Sequence, residues 1–194
     1  IPTSDVQTDK LLSFFGRMFY SYDHKYLLTA TLRADGSSKF IGKNRCGYFP
    51  SAAFAWQASE ERFIKNLNLF SNLKVRLSYG VAGNNRIDNY AYSSTFGASA
   101  YAVNGTSLSV ALLPSRIANP DLKWESTYSE NLGFDAGFFQ DRVSLDLDLY
   151  RNVTKNLLLN AVIPGSSGYT TEFKNIGSTL NKGLEATLTT RNIE

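Results

Sequence analysis

Little in this chain suits it to bond chemistry. Its 194 residues include one cysteine, Cys46, and one histidine, His24. A lone cysteine makes no internal disulfide, and no C-x-x-C pair is present for zinc or redox work. A lone histidine excludes a multi-histidine metal site. His24 stands in YSYDHKY, a turn-like run, where it reads as a solvated turn residue rather than the base of a catalytic triad. No calcium-loop spacing of the D-x-[DN]-x-[DN]-G kind occurs. An excess of one charge is also missing. Twenty basic and 17 acidic residues leave a net charge of +3, too balanced for a nucleic-acid surface. No apolar run approaches the ~18 residues of a membrane helix. These absences predict a protein that is not an enzyme, with no metal, no cofactor and no nucleic-acid partner.

The basic, glycine-rich stretch RADGSSKFIGKNRCGYFPS, residues 33–51, is the nearest thing to a phosphate cradle. It lacks the G-x-x-x-x-G-K-[ST] spacing, and no helical pattern follows it. Gly36 and Gly42 permit positive φ at bends, and Pro50, lacking an N–H, belongs near a strand start or a bulge. The stretch therefore reads as a connection, centred on residues 36–46, between two strands.

Alternation with a period of two dominates the chain. In VSLDLDLYRNVT, Val143, Leu145, Leu147, Leu149 and Val153 share one face, while Ser144, Asp146, Asp148, Tyr150 and Asn152 share the other. LKVRLSYGVAG sets Leu73, Val75, Leu77, Tyr79 and Val81 against Lys74, Arg76, Ser78, Gly80 and Ala82. YLLTATLRADG, WESTYSENLGFDAGF and NIGSTLNKGLEATL repeat the pattern, with Tyr26, Leu28 and Leu32, then Trp124, Leu132 and Phe134, then Ile176, Leu180 and Leu184 on their apolar faces. About seven strands result, over 11–22, 26–36, 47–58, 72–83, 122–138, 143–157 and 173–190. Residues 59–71 break the rule and read as a short helical turn. The connections at 23–25 and 139–142 are tight, whereas those near Asn44, over 84–120 and over 158–172 are longer and rich in Gly, Ser, Asn and Pro.

Long strands joined by short turns at one end and long loops at the other fit a wall of a transmembrane β-barrel. A soluble two-layer β-sandwich, such as a glycan-binding module, also alternates. The polar faces here carry Gly, Ser, Thr and Asn rather than the Lys and Glu of a solvent face, which favours the barrel. The abrupt ends read as those of a stretch of a longer protein. In the barrel reading, Arg17, Arg33, Asp35, Arg76, Asn131, Asp135, Asp146, Asp148 and Glu185 face the lumen. Tyr20, Tyr22, Tyr26, Trp56 and Phe138 form an interfacial girdle at the short-turn end. Pairing Phe138 with Val143 sets Leu132 opposite Leu149 and Glu130 opposite Arg151, the only outward charges on that ladder. Opposite charges so placed support the register. The same register sets Asp135 against Asp146 and so requires a nearby cation or water.

The runs YSYDHKYLLTATLRADGSSKF, NRCGYFPSAAFAWQASEE, LKVRLSYGVAGNN, IANPDLKWE, YRNVTKNLLL, PGSSGY and NIGSTLNKGLEATL, in this order, resemble the barrel of SusC/RagA-type TonB-dependent outer-membrane transporters. The resemblance covers nearly the whole chain. It implies an all-β, antiparallel, up-and-down transmembrane barrel of about 22 strands around a plug, of which residues 1–194 supply about seven strands, without the plug or the remaining wall. It further implies a Gram-negative outer membrane, uptake of oligosaccharide or peptide, a SusD-like surface lipoprotein partner, and energy from TonB through a region N-terminal to these residues. Candidate substrate-binding residues are Arg33, Asp35, Arg76, Asp146 and Asp148 in the lumen. At the loop end they are Tyr90, Tyr92, Phe96, Tyr101 and Trp124. Residues 84–120 are expected to be extracellular and to approach a lipoprotein lid.

Overall fold

The computed structural model describes residues 6–103, 107–169 and 171–192, with side chains described throughout except at 99–103, 107–109, 111 and 115. Seven long strands form one antiparallel sheet: β1 (Leu11–Tyr22), β2 (Tyr26–Ser37), β3 (Cys46–Gln57), β4 (Asn72–Asn84), β7 (Glu125–Phe138), β8 (Val143–Lys155) and β11 (Ser178–Thr190). Four shorter strands sit in the connections as two separate hairpins. The first pairs β5 (Thr95–Val103) with β6 (Ser107–Arg116), and the second pairs β9 (Leu158–Val162) with β10 (Thr171–Asn175). No described helix is long and apolar enough to cross a membrane, which says nothing of crossing by strands.

The strands run up and down in chain order, so connections alternate between two ends. At the short-turn end, Asp23 (φ 49°) and His24 (φ 54°) make a two-residue left-handed turn, closed by the Lys25 N–H donating to the Tyr22 carbonyl at 3.0 Å. Positive φ at both central residues matches the right-handed twist of the flanking strands. The turn at 139–142 uses three successive left-handed residues, Phe139, Gln140 and Asp141. The third connection folds as a 3₁₀ turn (Ala58–Glu60) and the short helix α1 (Arg62–Lys65). Its Ile64 and Phe70 pack with Trp56 and Phe138 around buried Ala58, Leu73 and Ala136.

Pairing puts Leu28, Phe54, Leu77, Leu132, Leu149 and Leu184 on one face, and Thr29, Ser78, Asn131, Tyr150 and Gly183 on the other. The apolar face is largely open: Phe14 is 67% exposed and Leu188 67%. A sheet with one apolar face uncovered and no second layer is a membrane wall rather than half a sandwich.

The strands are slanted. The pairing row through Tyr22 and Tyr26, at the foot of the first hairpin, passes through Trp56 and Val75 to Phe134 and Leu147. Those two lie four residues above Phe138 and Val143, the foot of the β7–β8 hairpin. Four residues rise ~13 Å while four strand spacings cover ~19 Å, a slant of about 35°. That lies within the tilt range of transmembrane barrels.

The structure corrects several expectations. Gly36 lies within β2 rather than at a bend; Gly42 (φ 57°) makes the bend, in the 3₁₀ turn Gly42–Arg45. Residues 173–190 are not one strand: 171–175 belong to β10, and Gly177 (φ 80°) breaks the chain before β11. The wall strand expected to start at 122 starts at Glu125, which leaves Trp124 above it in the loops.

Candidate functional site

Two regions gather chemistry: the lumen-facing side of the wall and the cluster of connections at its upper end. On the wall, polar side chains pair with neighbouring strands or along their own. Arg33 donates from Nε to Asp35 Oδ1 at 2.8 Å and from Nη2 to Ser13 Oγ at 3.4 Å. Asp35 is nearly buried. Arg17 donates to Thr31 Oγ1 at 3.1 Å. Thr127 and Thr154 share a hydrogen bond of 2.9 Å.

The densest network centres on Arg76. Its Nη2 and Nε donate to Asp135 at 2.7 and 2.9 Å, and Nη2 also reaches Asp148 Oδ2 at 3.2 Å. One guanidinium thus ties β4, β7 and β8 together. Glycine at position 133 makes this possible: a Cβ there would lie 2.6 Å from Arg76 Cζ and 2.8 Å from Asp148 Oδ1. Asp135 does stand opposite Asp146, and of the cation or water expected beside them, the structure places the cation Arg76 on Asp135. Arg76 and Asp148 are therefore occupied as braces, while Asp146 makes no ion pair among the described residues and lines an open cavity with Asp135, Asp141 and Arg191.

At the upper end, Phe40, Phe49, Ile87, Ala91, Leu122 and Trp124 form the main buried core, joined by Tyr92, Leu158 and Phe173. All three long connections enter it. The ring of Trp124 packs 5.4 Å from those of Phe40 and Phe49, and its Nε1–H donates to the Arg45 carbonyl at 3.2 Å. Trp124, a sequence candidate for stacking on substrate, presents no free ring face and is structural. Asparagine side chains complete the knot by bonding backbone carbonyls of the connections. Asn44 donates to the Asp121 carbonyl at 3.1 Å, Asn119 to the Phe173 carbonyl at 2.7 Å, and Asn175 to the Lys123 carbonyl at 2.7 Å. Phe49 also needs Gly83, where a Cβ would fall 2.0 Å from its Cζ.

Around this knot lie the remaining candidates. Tyr90 and Tyr92 stand with ring centroids 6.3 Å apart at 61°. Tyr90 is exposed, and both border a cavity of about 430 Å³ with Lys10, Ser38, Arg45 and Asn89. This cavity combines an open phenol ring with two cationic residues. Sequence patterning singled out the two tyrosines but not Lys10 or Ser38, which approach only through folding. Phe96 is exposed on the β5–β6 hairpin, beside a register shift at Thr95. Tyr101 lies on β5, outside the residues whose side chains are described. The candidates thus divide between a wall site (Arg33, Asp35, Arg76, Asp146, Asp148) and a loop site (Tyr90, Tyr92, Phe96); no described contact joins the two groups.

The family model for the TonB dependent receptor-like β-barrel matches residues 2–191. The chain belongs to this barrel family. It is 41% identical to TonB-dependent receptor P26 of Formosa agariphila over 193 residues, covering 100% of this chain and 19% of that protein. It is 36% identical to TonB-dependent receptor SusC of Bacteroides thetaiotaomicron, covering 98% of this chain and 19% of that one. Among solved structures, the RagAB peptide transporter superposes with a TM-score of 0.80 at 31% identity, over 93% of this chain and 20% of that chain. The chain therefore spans about a fifth of the length of the relatives it matches. The SusC/RagA resemblance and the all-β barrel architecture stand, and the soluble sandwich does not. Barrels of this family are outer-membrane proteins of Gram-negative bacteria, and the family is one of receptors and transporters rather than enzymes.

Proposed function

We propose that residues 1–194 are part of the barrel domain of a longer outer-membrane importer in a Gram-negative bacterium, which takes up an oligosaccharide or a peptide, is energised through TonB and works with a SusD-like surface lipoprotein. The observation that carries this reading is the slanted seven-strand wall, apolar and open on one side and polar on the other. Such a wall supports passage through a bilayer along its polar side. The family match and the likeness to SusC and to the RagAB peptide transporter support the same reading.

In this proposal the cavity at Tyr90, Tyr92, Arg45 and Lys10 meets the solute first: Tyr90 stacks on a sugar ring or an apolar side chain, and the cations take its acidic groups. Asp146 and the Arg33–Asp35 pair line its later path. The β5–β6 hairpin supports the partner assignment. Its Phe96, Leu112 and Val110 fall on one face and are 64%, 71% and 81% exposed. An apolar face held out in water marks a protein contact, and we assign it to the lipoprotein. The test deletes the full-length gene in its host and follows uptake of labelled oligosaccharides and peptides. Restored uptake of one class on complementation, lost again when the proton-motive force is collapsed, is the expected result. Unchanged uptake of both classes in the deletion strain refutes the proposal.

A further inference from the structure

The outward face of the wall is charged in one corner alone. On β1 to β4 the outward positions run from Leu12 to Tyr22, Tyr26 to Gly36, Cys46 to Trp56 and Leu73 to Gly83, and none is Asp, Glu, Lys or Arg. On β7, β8 and β11 the same face carries Glu130, Arg151, Lys155 and Lys182, all in the half nearer the long loops. Glu130 and Arg151 were expected to be alone on the β7–β8 ladder; the structure adds Lys155 at its upper end, and Lys182 stands beside it on β11.

Three of these charges share one pairing row. Arg151 faces Glu130 on one side and Lys182 on the other. Its Nη1 donates to Glu130 Oε2 at 3.0 Å. Lys182, on the edge strand β11, is exposed and makes no ion pair or hydrogen bond among the described residues, and on its one described side it faces Arg151. Like charges directly opposite each other destabilise a strand pair, so the Arg151–Lys182 pair calls for an anion between the two. Lys155 is engaged elsewhere, its Nζ lying 5.2 Å from the Tyr128 ring centre.

Height identifies the anion. The row lies eight residues above Phe138–Val143, which at ~3.3 Å per residue and a slant of about 35° places it roughly 22 Å above the short-turn foot. The apolar band of such barrels is ~25 Å tall, so the row reaches the level of the outer headgroups. Pairing rows climb towards β11, so Lys182 stands highest. Directly below is an apolar groove of about 550 Å³, bounded by Leu77, Leu132 and Leu149 on one side and by the charged row on the other.

We propose that this corner holds one phosphorylated lipid of the outer leaflet, its phosphate between Arg151 and Lys182 and one acyl chain along Leu132 and Leu149. A free phosphate would meet the cations but leave the groove empty, and a zwitterionic lipid would fill the groove but bring its own cation to the row. The proposal rests on the reading of the sheet as an outer-membrane wall.

The test uses the full-length protein in detergent micelles and native mass spectrometry, titrating phosphatidylglycerol, phosphatidylcholine of matched chains, and inorganic phosphate. Phosphatidylglycerol is expected to be retained in preference to both. Lys182→Gln is expected to lower that retention about fivefold, as for loss of one basic residue at an anionic surface, and Lys155→Gln to leave it unchanged. Leu149→Ser is expected to weaken both lipids. Folding of each variant is checked by its heat-dependent migration on gels. Equal retention of the two lipids, wild-type retention by Lys182→Gln, or phosphate bound as tightly as phosphatidylglycerol overturns the proposal. Wild-type protein that imports but retains no lipid defeats this proposal alone, whereas protein that retains lipid but does not import defeats the import reading alone.

Discussion

Arg76 ion-pairs with both Asp135 and Asp148, and removing it should be felt across three strands. In Arg76→Ala, Asp135 loses a two-point pair and Asp148 loses its 3.2 Å contact. Asp135 then faces Asp146 with nothing between. Hydrogen bonds to charged groups contribute about 1.5–3 kcal/mol each when sheltered. Arg76 is 36% exposed, Asp135 20% and Asp148 27%, so water takes back part of that, and about 2 kcal/mol is a fair figure for the three bonds together. The unrelieved like-charge pair adds up to ~1 kcal/mol. A loss of about 3 kcal/mol is therefore expected in the unfolding free energy of the full-length barrel, read by denaturant titration with tryptophan fluorescence. The double-mutant cycle makes the reasoning specific. In an Asp135→Asn background both the strong acceptor and the opposed charge are gone, so Arg76→Ala should cost only ~1 kcal/mol, a coupling of about 2 kcal/mol. The same loss in both backgrounds would mean that Arg76 acts through its packing rather than its charge. A wild-type midpoint for the single variant would remove the network from any account of the wall.

Three further outcomes follow from the same geometry. Trp124→Ala should cost about 3–5 kcal/mol, as for a large ring deleted from a core, and should show as faster proteolysis within 85–124; Trp124→Phe should restore most of the protection, and resistance in the alanine variant would displace Trp124 from the knot. At the short-turn end, Lys25 hydrogen-bonds Asp23, holding that carboxyl below its usual value, and the Tyr26 phenol does the same for Glu61. Their contribution is complete above the usual carboxylate range and lost as pH falls through the lowered values, while that of Lys25, raised chiefly by Asp23, is lost only as pH rises past the usual lysine value. Exchange at the Gln57 amide, bonded to the Lys25 carbonyl at 2.7 Å, should therefore quicken in acid after correction for intrinsic rates; protection that stays flat counts against the linkage. Finally, a cysteine at Val110, 81% exposed on the β5–β6 hairpin, should be labelled by an impermeant reagent in intact cells, and labelling only after permeabilisation inverts the topology.

The wall was legible in the sequence because one physical demand, an unbroken apolar face, writes period two into every long strand. The β7–β8 register was legible for a second reason: Glu130, Arg151 and the rows Leu132–Leu149 and Phe134–Leu147 agree on a single alignment. The loop hairpins were not. TFGASAYAV is mostly small residues, SLSVALLPSR alternates Leu108, Val110 and Leu112 with small residues over one short run broken by Pro114, and the pairing of β9 with β10 left no signal strong enough to separate 171–175 from the wall strand beyond it. Trp124 misled because the even-numbered apolar parity of β7 runs straight through it, although the turn residues Asn119, Pro120 and Asp121 just before it mark a loop. The Arg76–Asp135 pair was hidden because β4 and β7 meet across some forty residues of connection, and alternation says nothing about which strand will be a neighbour. Lys182 stood in plain sight between Leu180 and Leu184, but its meaning depended on Arg151 lying opposite.

The sideways pairing of the lumen face follows from the size of the barrel that such a wall implies. At ~4.8 Å per strand and a slant of about 35°, each strand takes up roughly 6 Å of perimeter, so a closed ring of about 22 such strands has a radius of ~20 Å. Side chains of one wall cannot reach the opposite wall over that span. Each must be satisfied by a neighbour, by water or by something inside the lumen. Arg17, Arg33 and Arg76 find neighbours, and glycine at 133 clears the space that lets Arg76 bridge two acids. Asp146 and Glu185 do not, among the described residues. Both lie in the half nearer the short turns, on β8 and β11. Asp146 lies between β7 and β11 and still has no partner, whereas Glu185 stands on β11, the edge of the described sheet, where the next strand of a closed barrel would adjoin it. Replacing Asp146 with its amide, Asp146→Asn, should leave wall stability within about 0.5 kcal/mol, as for a group with no partner in the wall. A larger loss would show that this acid braces the wall after all.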